Sequence, residues 1–267
     1  MHSTKCTVNH RQASCCKAAI GGKMKNKKTE SNPSASHNLR SNPIYFCNPI
    51  QAETLLSEGR DLLLFVRHGL TDWNVQMRLQ GREEVPLNEA GKEQAKELAG
   101  LIGNAGKISN IYTSPLSRAK DTASIISSEL KLDAPIILED LIERDYSALS
   151  GLTMAERRER FPSPKDYPAD IENTTNAAQR MKKVALELYL REDKESGITV
   201  AVTHGGVINS LFSYLTRGRA GMGKNVAKNC SISAVASGKA DIIPLAFNLQ
   251  CTDFINYMNS IKENENN

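Results

Sequence analysis

The stretch Leu62-Leu63-Leu64-Phe65-Val66-Arg67-His68-Gly69 decides how this chain folds. Five apolar residues follow one another without a polar break, so neither face of the segment is written for water. A strand buried on both faces of a parallel sheet reads this way, whereas a half-solvated strand alternates. The run then ends abruptly on a charge, an imidazole and a glycine. A second segment repeats the arrangement, with Ile198-Thr199-Val200-Ala201-Val202 leading into Thr203-His204-Gly205-Gly206. Open parallel sheets bind ligands in the crevice at the carboxyl ends of their strands, and both histidines are placed there.

Shorter strand candidates lie at Ile111-Tyr112-Thr113 and Ile136-Ile137-Leu138. Residues Cys230 to Ala236 and Asp241 to Phe247 read as a terminal pair joined by a turn at Ser237-Gly238. Helices alternate with these strands. Asn88 is placed to cap a helix whose Ala95, Leu98, Ala99 and Ile102 fall on one face, with Gly103 and Gly106 to end it. Ser114-Pro115 reads as an N-cap followed by proline at the first helical position, with Ala119, Thr122, Ala123 and Ile126 as its buried stripe. Ala178, Met181, Ala185 and Leu188 give a third stripe, and Val207, Leu211 and Leu215 a fourth. This alternation predicts an α/β fold, a three-layer α/β/α sandwich with a mainly parallel central sheet.

The chain has 267 residues, 40% hydrophobic and 24% charged, which suits one sizeable globular domain. No apolar run is long enough for a membrane span, and the first 25 residues lack the apolar core of a secretory signal. Charge is uneven. Residues 1–45 carry eight basic side chains and one acid, a net +7 against +4 for the whole chain, so the remainder is net −3. Residues 1–48 therefore read as a disordered basic tail and 49–267 as the domain, whose mildly acidic balance argues against a nucleic-acid partner. Cys6, His10, Cys15 and Cys16 have no established zinc spacing. Six cysteines, four of them ahead of the domain, make no disulfide framework, so a reducing cytoplasmic setting is expected.

His68 and His204 are the only two histidines in the body of the chain. Each precedes a glycine, Gly69 or Gly205, which lets backbone N–H groups approach an anion. As a lone strand-end residue, either would be read as satisfied by backbone; the pairing argues for a shared site. Arg118, one turn into the helix after Thr113, has the forked donor geometry that suits phosphate, although alone it would pass for a solvated surface residue. Arg67 ends a buried strand, where a charge is costly unless an anion meets it.

At Arg67-His68-Gly69-Leu70-Thr71-Asp72-Trp73-Asn74 the chain resembles the histidine phosphatase superfamily, which includes cofactor-dependent phosphoglycerate mutases. The likeness continues in family order through Arg78-Leu79-Gln80-Gly81, Pro86 to Gly91, Ser114 to Ala119, Leu141 to Tyr146, Thr203 to Gly206 and Asn229 to Ser233. It implies that His68 is a nucleophile that becomes phosphohistidine. Arg67, Arg118 and a protonated His204 would form the phosphate pocket, with a contact from Asn74. Gln80 and Gly81 would meet the substrate phosphate, and Glu143 would handle the proton, with Asp145 and Asp140 as competitors for that role. A small phosphorylated substrate is implied, with no metal or other cofactor. Two departures favour phosphatase over mutase: Met154 stands where glycolytic mutases have lysine, and only 61 positions separate Glu143 from His204, too few for the mutase insertion. Ser147 replaces the glycine usual after the acid motif. A mutase, and an inactive member acting as a binding protein, are the alternatives.

Overall fold

The computed structural model describes residues 42–191, 196–223 and 225–265. In chain order the elements are β1 (Ile44–Tyr45), α1 (Pro49–Ser57), β2 (Asp61–Arg67), α2 (Asp72–Val75), α3 (Glu89–Ala105), β3 (Ile108–Thr113), α4 (Ser117–Leu130) and β4 (Ile136–Ile137). They continue as α5 (Met154–Arg160), α6 (Thr174–Leu190), β5 (Ile198–Thr203), α7 (Gly205–Leu215), β6 (Ile232–Ser237), β7 (Ile242–Leu249) and α8 (Cys251–Glu265). The strands form one seven-stranded sheet in the order β1-β7-β6-β2-β5-β3-β4. β2, β5, β3 and β4 are parallel, and the terminal hairpin β6–β7 and then β1 extend the sheet antiparallel.

The apolar run of β2 sits at the centre because it has something to bury on both faces. Leu62, Leu64 and Val66 pack with residues of α1, α3, α4 and α8, while Leu63 and Phe65 pack with α6 and α7. Each such side chain contributes about 1.5–3 kcal/mol when withdrawn from water. The expected stripes on α3, α4 and α6 are all buried. Asn88 caps α3 by accepting from the Gly91 amide at 2.9 Å.

Three features differ from the sequence reading. Helix α4 begins at Ser117 with Leu116 as its cap residue, and no side chain caps it. The Ser114 hydroxyl, expected to cap, accepts from the Leu116 amide at 3.3 Å but is also engaged by the buried His204 imidazole at 2.7 Å. In a dry interior that second partner is worth more than a cap exposed to water. The sheet also takes in residues assigned to the tail, since Ile44 and Tyr45 pair with Phe247 and Ala246. Two residues are too few to show a period. Finally, α8 covers one face with Phe254, Tyr257, Met258 and Ile261. Residues 1–41, with Cys6, His10, Cys15 and Cys16, lie outside the described residues.

Register is what carries the fold into the site. Arg67 of β2 lies opposite Thr203 of β5, and Thr113 of β3 lies opposite Val202. The residues that follow, His68, His204 and Ser114, therefore emerge together at one sheet edge. Among the described residues no helix is long and apolar enough to cross a membrane.

Candidate active site

His68 and His204 stand with ring centroids 5.3 Å apart and planes at 57°. The His68 amide donates to Thr203 O at 3.0 Å, tying β2 to the end of β5. Its ring Nδ1 lies 2.7 Å from Gly69 O. A carbonyl can only accept, so Nδ1 carries the proton and Nε2 keeps its lone pair. Burial, reinforced by Arg67 and Arg118, holds the His68 pKa well below its ordinary 6.5. The ring is therefore neutral at physiological pH, with the Nε2 lone pair free.

Two arginines flank it, each fixed from behind by carbonyls. Arg67 donates from Nη1 to Ala227 O at 2.7 Å. Arg118, with no exposed surface, donates to Glu83 O and Gly81 O, both at 2.7 Å. Burial lowers the Arg118 pKa to about 10, so the group stays charged at neutral pH. Gly205 lets Arg67 come close, because a Cβ there would lie 3.1 Å from its Nε. Gly69 is required for a different reason: a Cβ would stand 2.5 Å from the backbone oxygen of Gly91, where α3 packs on the loop.

His204 is held away from its charged form in the free site. Burial comes first among the causes, followed by Arg118, His68 and Arg67, and together they hold its pKa well below 6.5. Its Nε2 faces the Ser114 hydroxyl rather than a carboxylate. His204 is thus neutral in the free site. The hydroxyl can donate to Nε2, which leaves the proton on Nδ1. Arg67 Nε, Arg118 Nε and His204 Nδ1 are all buried without a protein partner. Each such group costs about 1–3 kcal/mol if it stays unmet, and all three belong to side chains gathered around His68.

Glu143, in the loop that follows β4, faces this group and is held by the first turn of α7. Its Oε2 accepts from Gly206 N at 2.8 Å, and its Oε1 from Val207 N at 2.9 Å and Arg144 N at 2.8 Å. Gly206 makes the approach possible, for a Cβ would sit 2.3 Å from Tyr146 Oη and 2.5 Å from Glu143 Oε1. The strand-end segment is braced by Arg180, which donates to Asp140 O at 2.6 Å and Ile142 O at 2.8 Å. Arg82 adds a bond to Glu143 O at 3.2 Å. The competing acids point elsewhere: Asp145 holds the Ser147 amide and lies 3.6 Å from Arg82, and Asp140 lies 3.6 Å from Lys183. Ser147 stands at φ 49°, the left-handed region that favours glycine.

These groups open onto a cavity of about 390 Å³. Of the residues expected at the site, Arg67, His68, Asn74, Gln80, Gly81, Arg118, Glu143 and Gly205 line it, whereas Gly69 and His204 are buried against His68. Asn74 commits its amide oxygen to Thr71 Oγ1 and Asn229 Nδ2, both at 3.1 Å, which leaves its NH2 end to the cavity. Gln80 Oε1 is buried without a partner, and Gly81 adopts φ 54° while its carbonyl holds Arg118. Two residues escaped assignment from sequence. Ser114 reads from sequence only as a cap. Asn229 lies inside a recognised motif without a role, yet its Nδ2 reaches His68 O at 3.0 Å and Gly69 O at 3.1 Å, pinning the His68 backbone.

The family model described as histidine phosphatase superfamily (branch 1) matches residues 63–249. The chain belongs to that superfamily. It is 36% identical over 154 residues to an uncharacterized phosphatase, PhoE, of Bacillus subtilis, covering 57% of this chain and 76% of that one. It is 34% identical over 171 residues to a metal-independent phosphoserine phosphatase of Arabidopsis thaliana, covering 60% and 71%. Among solved structures it resembles the mycobacterial glucosyl-3-phosphoglycerate phosphatase complexed with VO3. There the TM-score is 0.63 at 26% identity, covering 71% of this chain and all of the other.

Proposed function

We propose that this enzyme hydrolyses phosphomonoesters through a phosphohistidine on His68. The observation that carries the reading is the convergence of one free imidazole lone pair with two fixed guanidinium groups and three buried donors without protein acceptors. A tetrahedral dianion answers all of them at once. In the first step His68 Nε2 attacks phosphorus, the ester P–O bond breaks, and its electron pair leaves on the alcohol oxygen. Glu143, in its acid form, supplies the proton to that oxygen; its Oε2, with a single amide partner, is the oxygen placed to carry it. In the second step water attacks phosphorus, Glu143 takes the water proton, and the N–P bond breaks to restore the imidazole. Arg67, Arg118 and His204 hold the equatorial oxygens in both steps. Gln80, Gly81 and the NH2 of Asn74 border the same end.

Hydrolysis is favoured over mutase transfer because Met154 is half exposed and directs no cation into the cavity, and because the stretch from Glu143 to His204 is short. The reading treats residues 1–41 as dispensable for chemistry and the setting as cytoplasmic, in keeping with free Cys47, Cys230 and Cys251. The test is product analysis with 3-phosphoglycerate, a phosphorylated acid whose free hydroxyl could accept the phosphoryl group. Release of inorganic phosphate is expected, and its loss in His68→Ala. Conversion to a positional isomer without phosphate release would make the enzyme a mutase, and no turnover of any phosphomonoester would make it a binding protein.

A further inference from the structure

The mouth of the cavity holds a cation that the phosphoryl chemistry leaves unused. Five arginines line the cavity, and four of them are held by other parts of the chain. Arg67 and Arg118 are tied to carbonyls around the phosphoryl end. Arg144 donates to Glu172 O at 2.7 Å and stacks on Tyr146. Arg78 donates to Gly151 O at 2.7 Å and pairs with Glu156 at 3.1 Å. Arg157, on α5, is different. Its single bond runs from Nε to Thr153 O at 3.3 Å, one turn back in its own helix, so both terminal NH2 groups stay open where the side chain borders the cavity.

The surrounding charge points the same way. Glu143 is the one carboxylate that lines the cavity among the described residues, and it is occupied by three amides. A phosphomonoester dianion answers Arg67 and Arg118, and Glu156 answers Arg78. Arg144 and Arg157 remain without a carboxylate partner; Arg144 is held by Glu172 O and Tyr146, so only Arg157 keeps both terminal NH2 groups free. A guanidinium with two parallel donors free is matched by a carboxylate or a phosphate. The cavity volume of about 390 Å³ exceeds what a phosphoryl group fills, since a water molecule's share of liquid is about 30 Å³.

Resting on the phosphatase reading, we infer that the substrate is a phosphomonoester whose leaving group carries a second anionic group, and that Arg157 is the residue that selects it. Arg157 acts on the part of the ester that departs, so it governs which alcohol is accepted without touching phosphorus. A leaving group whose only charge is positive meets Arg144 and Arg157, neither of which has a carboxylate partner, and is rejected.

The experiment compares three esters of similar size on the full-length protein: 3-phosphoglycerate, glycerol 3-phosphate and propane-1,3-diol bisphosphate. The first and third carry the extra anion as carboxylate or phosphate, and the second carries a neutral hydroxymethyl in its place. Wild type is expected to prefer at least one anionic ester over glycerol 3-phosphate by tenfold or more in kcat/KM. Which of the two leads identifies the anion. Arg157→Gln should reduce that preference to within about threefold, mainly through KM, while kcat/KM for glycerol 3-phosphate and inhibition by inorganic phosphate stay as they were. Arg157→Lys should restore part of the preference. Equal use of all three esters by wild type overturns the inference and leaves the phosphatase reading intact, as does an anion preference that survives in Arg157→Gln. No hydrolysis of any ester, p-nitrophenyl phosphate included, overturns the phosphatase reading itself and the inference with it.

Discussion

The two ends of the cavity are built to different standards. At the inner end three of the groups issue from a strand terminus or the helix that follows it, His68 after β2, His204 after β5 and Arg118 in the first turn of α4, and the fourth, Glu143, is a loop residue held against the start of α7. These side chains are nearly or wholly buried, and their conjugate positions are set by sheet register and by bonds to carbonyls. At the outer end Arg78 and Arg157 come from a loop and a seven-residue helix, and both are partly exposed. Rigid scaffolding serves the step common to all phosphomonoesters. The mouth, where partners change from one substrate to another, is left to loops and flexible cations.

This contrast predicts that damage at the inner end is large and indifferent to the leaving group, except where a proton is delivered. Glu143→Gln should slow hydrolysis of an alkyl phosphate by about 10²–10⁴-fold. Phosphorylation of the enzyme by an activated aryl phosphate should be much less affected, because a phenolate departs without a proton. Stopped-flow and steady-state rates on the two ester types separate these steps. Equal losses on both would remove Glu143 from the role.

Stability supplies a second handle on the same end. His68 and His204 are held neutral in the fold, with pKa values well below 6.5. As pH falls, the unfolded chain therefore takes up protons first. Their contribution is complete above about pH 6.5 and is lost progressively below it, by up to about 1.4 kcal/mol per pH unit for each ring. The urea midpoint should drop between about pH 7 and about pH 5, and less so in a variant with both histidines replaced by asparagine. An unchanged drop in that variant would assign the effect to other groups.

Smaller effects should come from residues that only arrange the inner end. Gly206→Ala places a methyl against Tyr146 Oη and Glu143, where overpacking costs about 1–3 kcal/mol. Its turnover should fall while the affinity for inorganic phosphate changes little. Ser114→Ala removes one hydrogen bond to His204, worth about 1 kcal/mol, so kcat should fall by several-fold to tenfold. Ser114→Thr, which keeps the hydroxyl, should recover most of it. A Ser114→Ala enzyme with unaltered kcat would mean that His204 needs no orientation.

What could be read from sequence follows the same division. Continuous apolar runs and buried stripes announce β2, β5, α3, α4 and α6, and the motifs at their ends name His68, Arg67, Arg118, His204 and Glu143. The mouth was not legible in this way, because Arg157 reaches the cavity only through the placement of α5, and nothing in Met154-Ala155-Glu156-Arg157 marks one arginine over the next. The role of Ser114 was hidden because Ser-Pro ahead of a helix is a capping signal in its own right. The neutral state of His204 was hidden too, since it depends on which groups surround the ring after folding. Helix α8 did carry a signal. Phe254, Tyr257, Met258 and Ile261 have the spacing of a buried stripe, diluted by the asparagines, aspartate and threonine between them.

The central claim is that phosphate is bonded to His68 between the two steps. The direct test is a pulse of labelled aryl phosphate, a millisecond quench in base, and mass spectrometry of the digested protein. The account predicts one phosphoryl group on His68, labile in acid and stable in alkali, formed faster than steady-state turnover and accumulating in Glu143→Gln. Label on any other residue, or full turnover with His68 never phosphorylated, would contradict it.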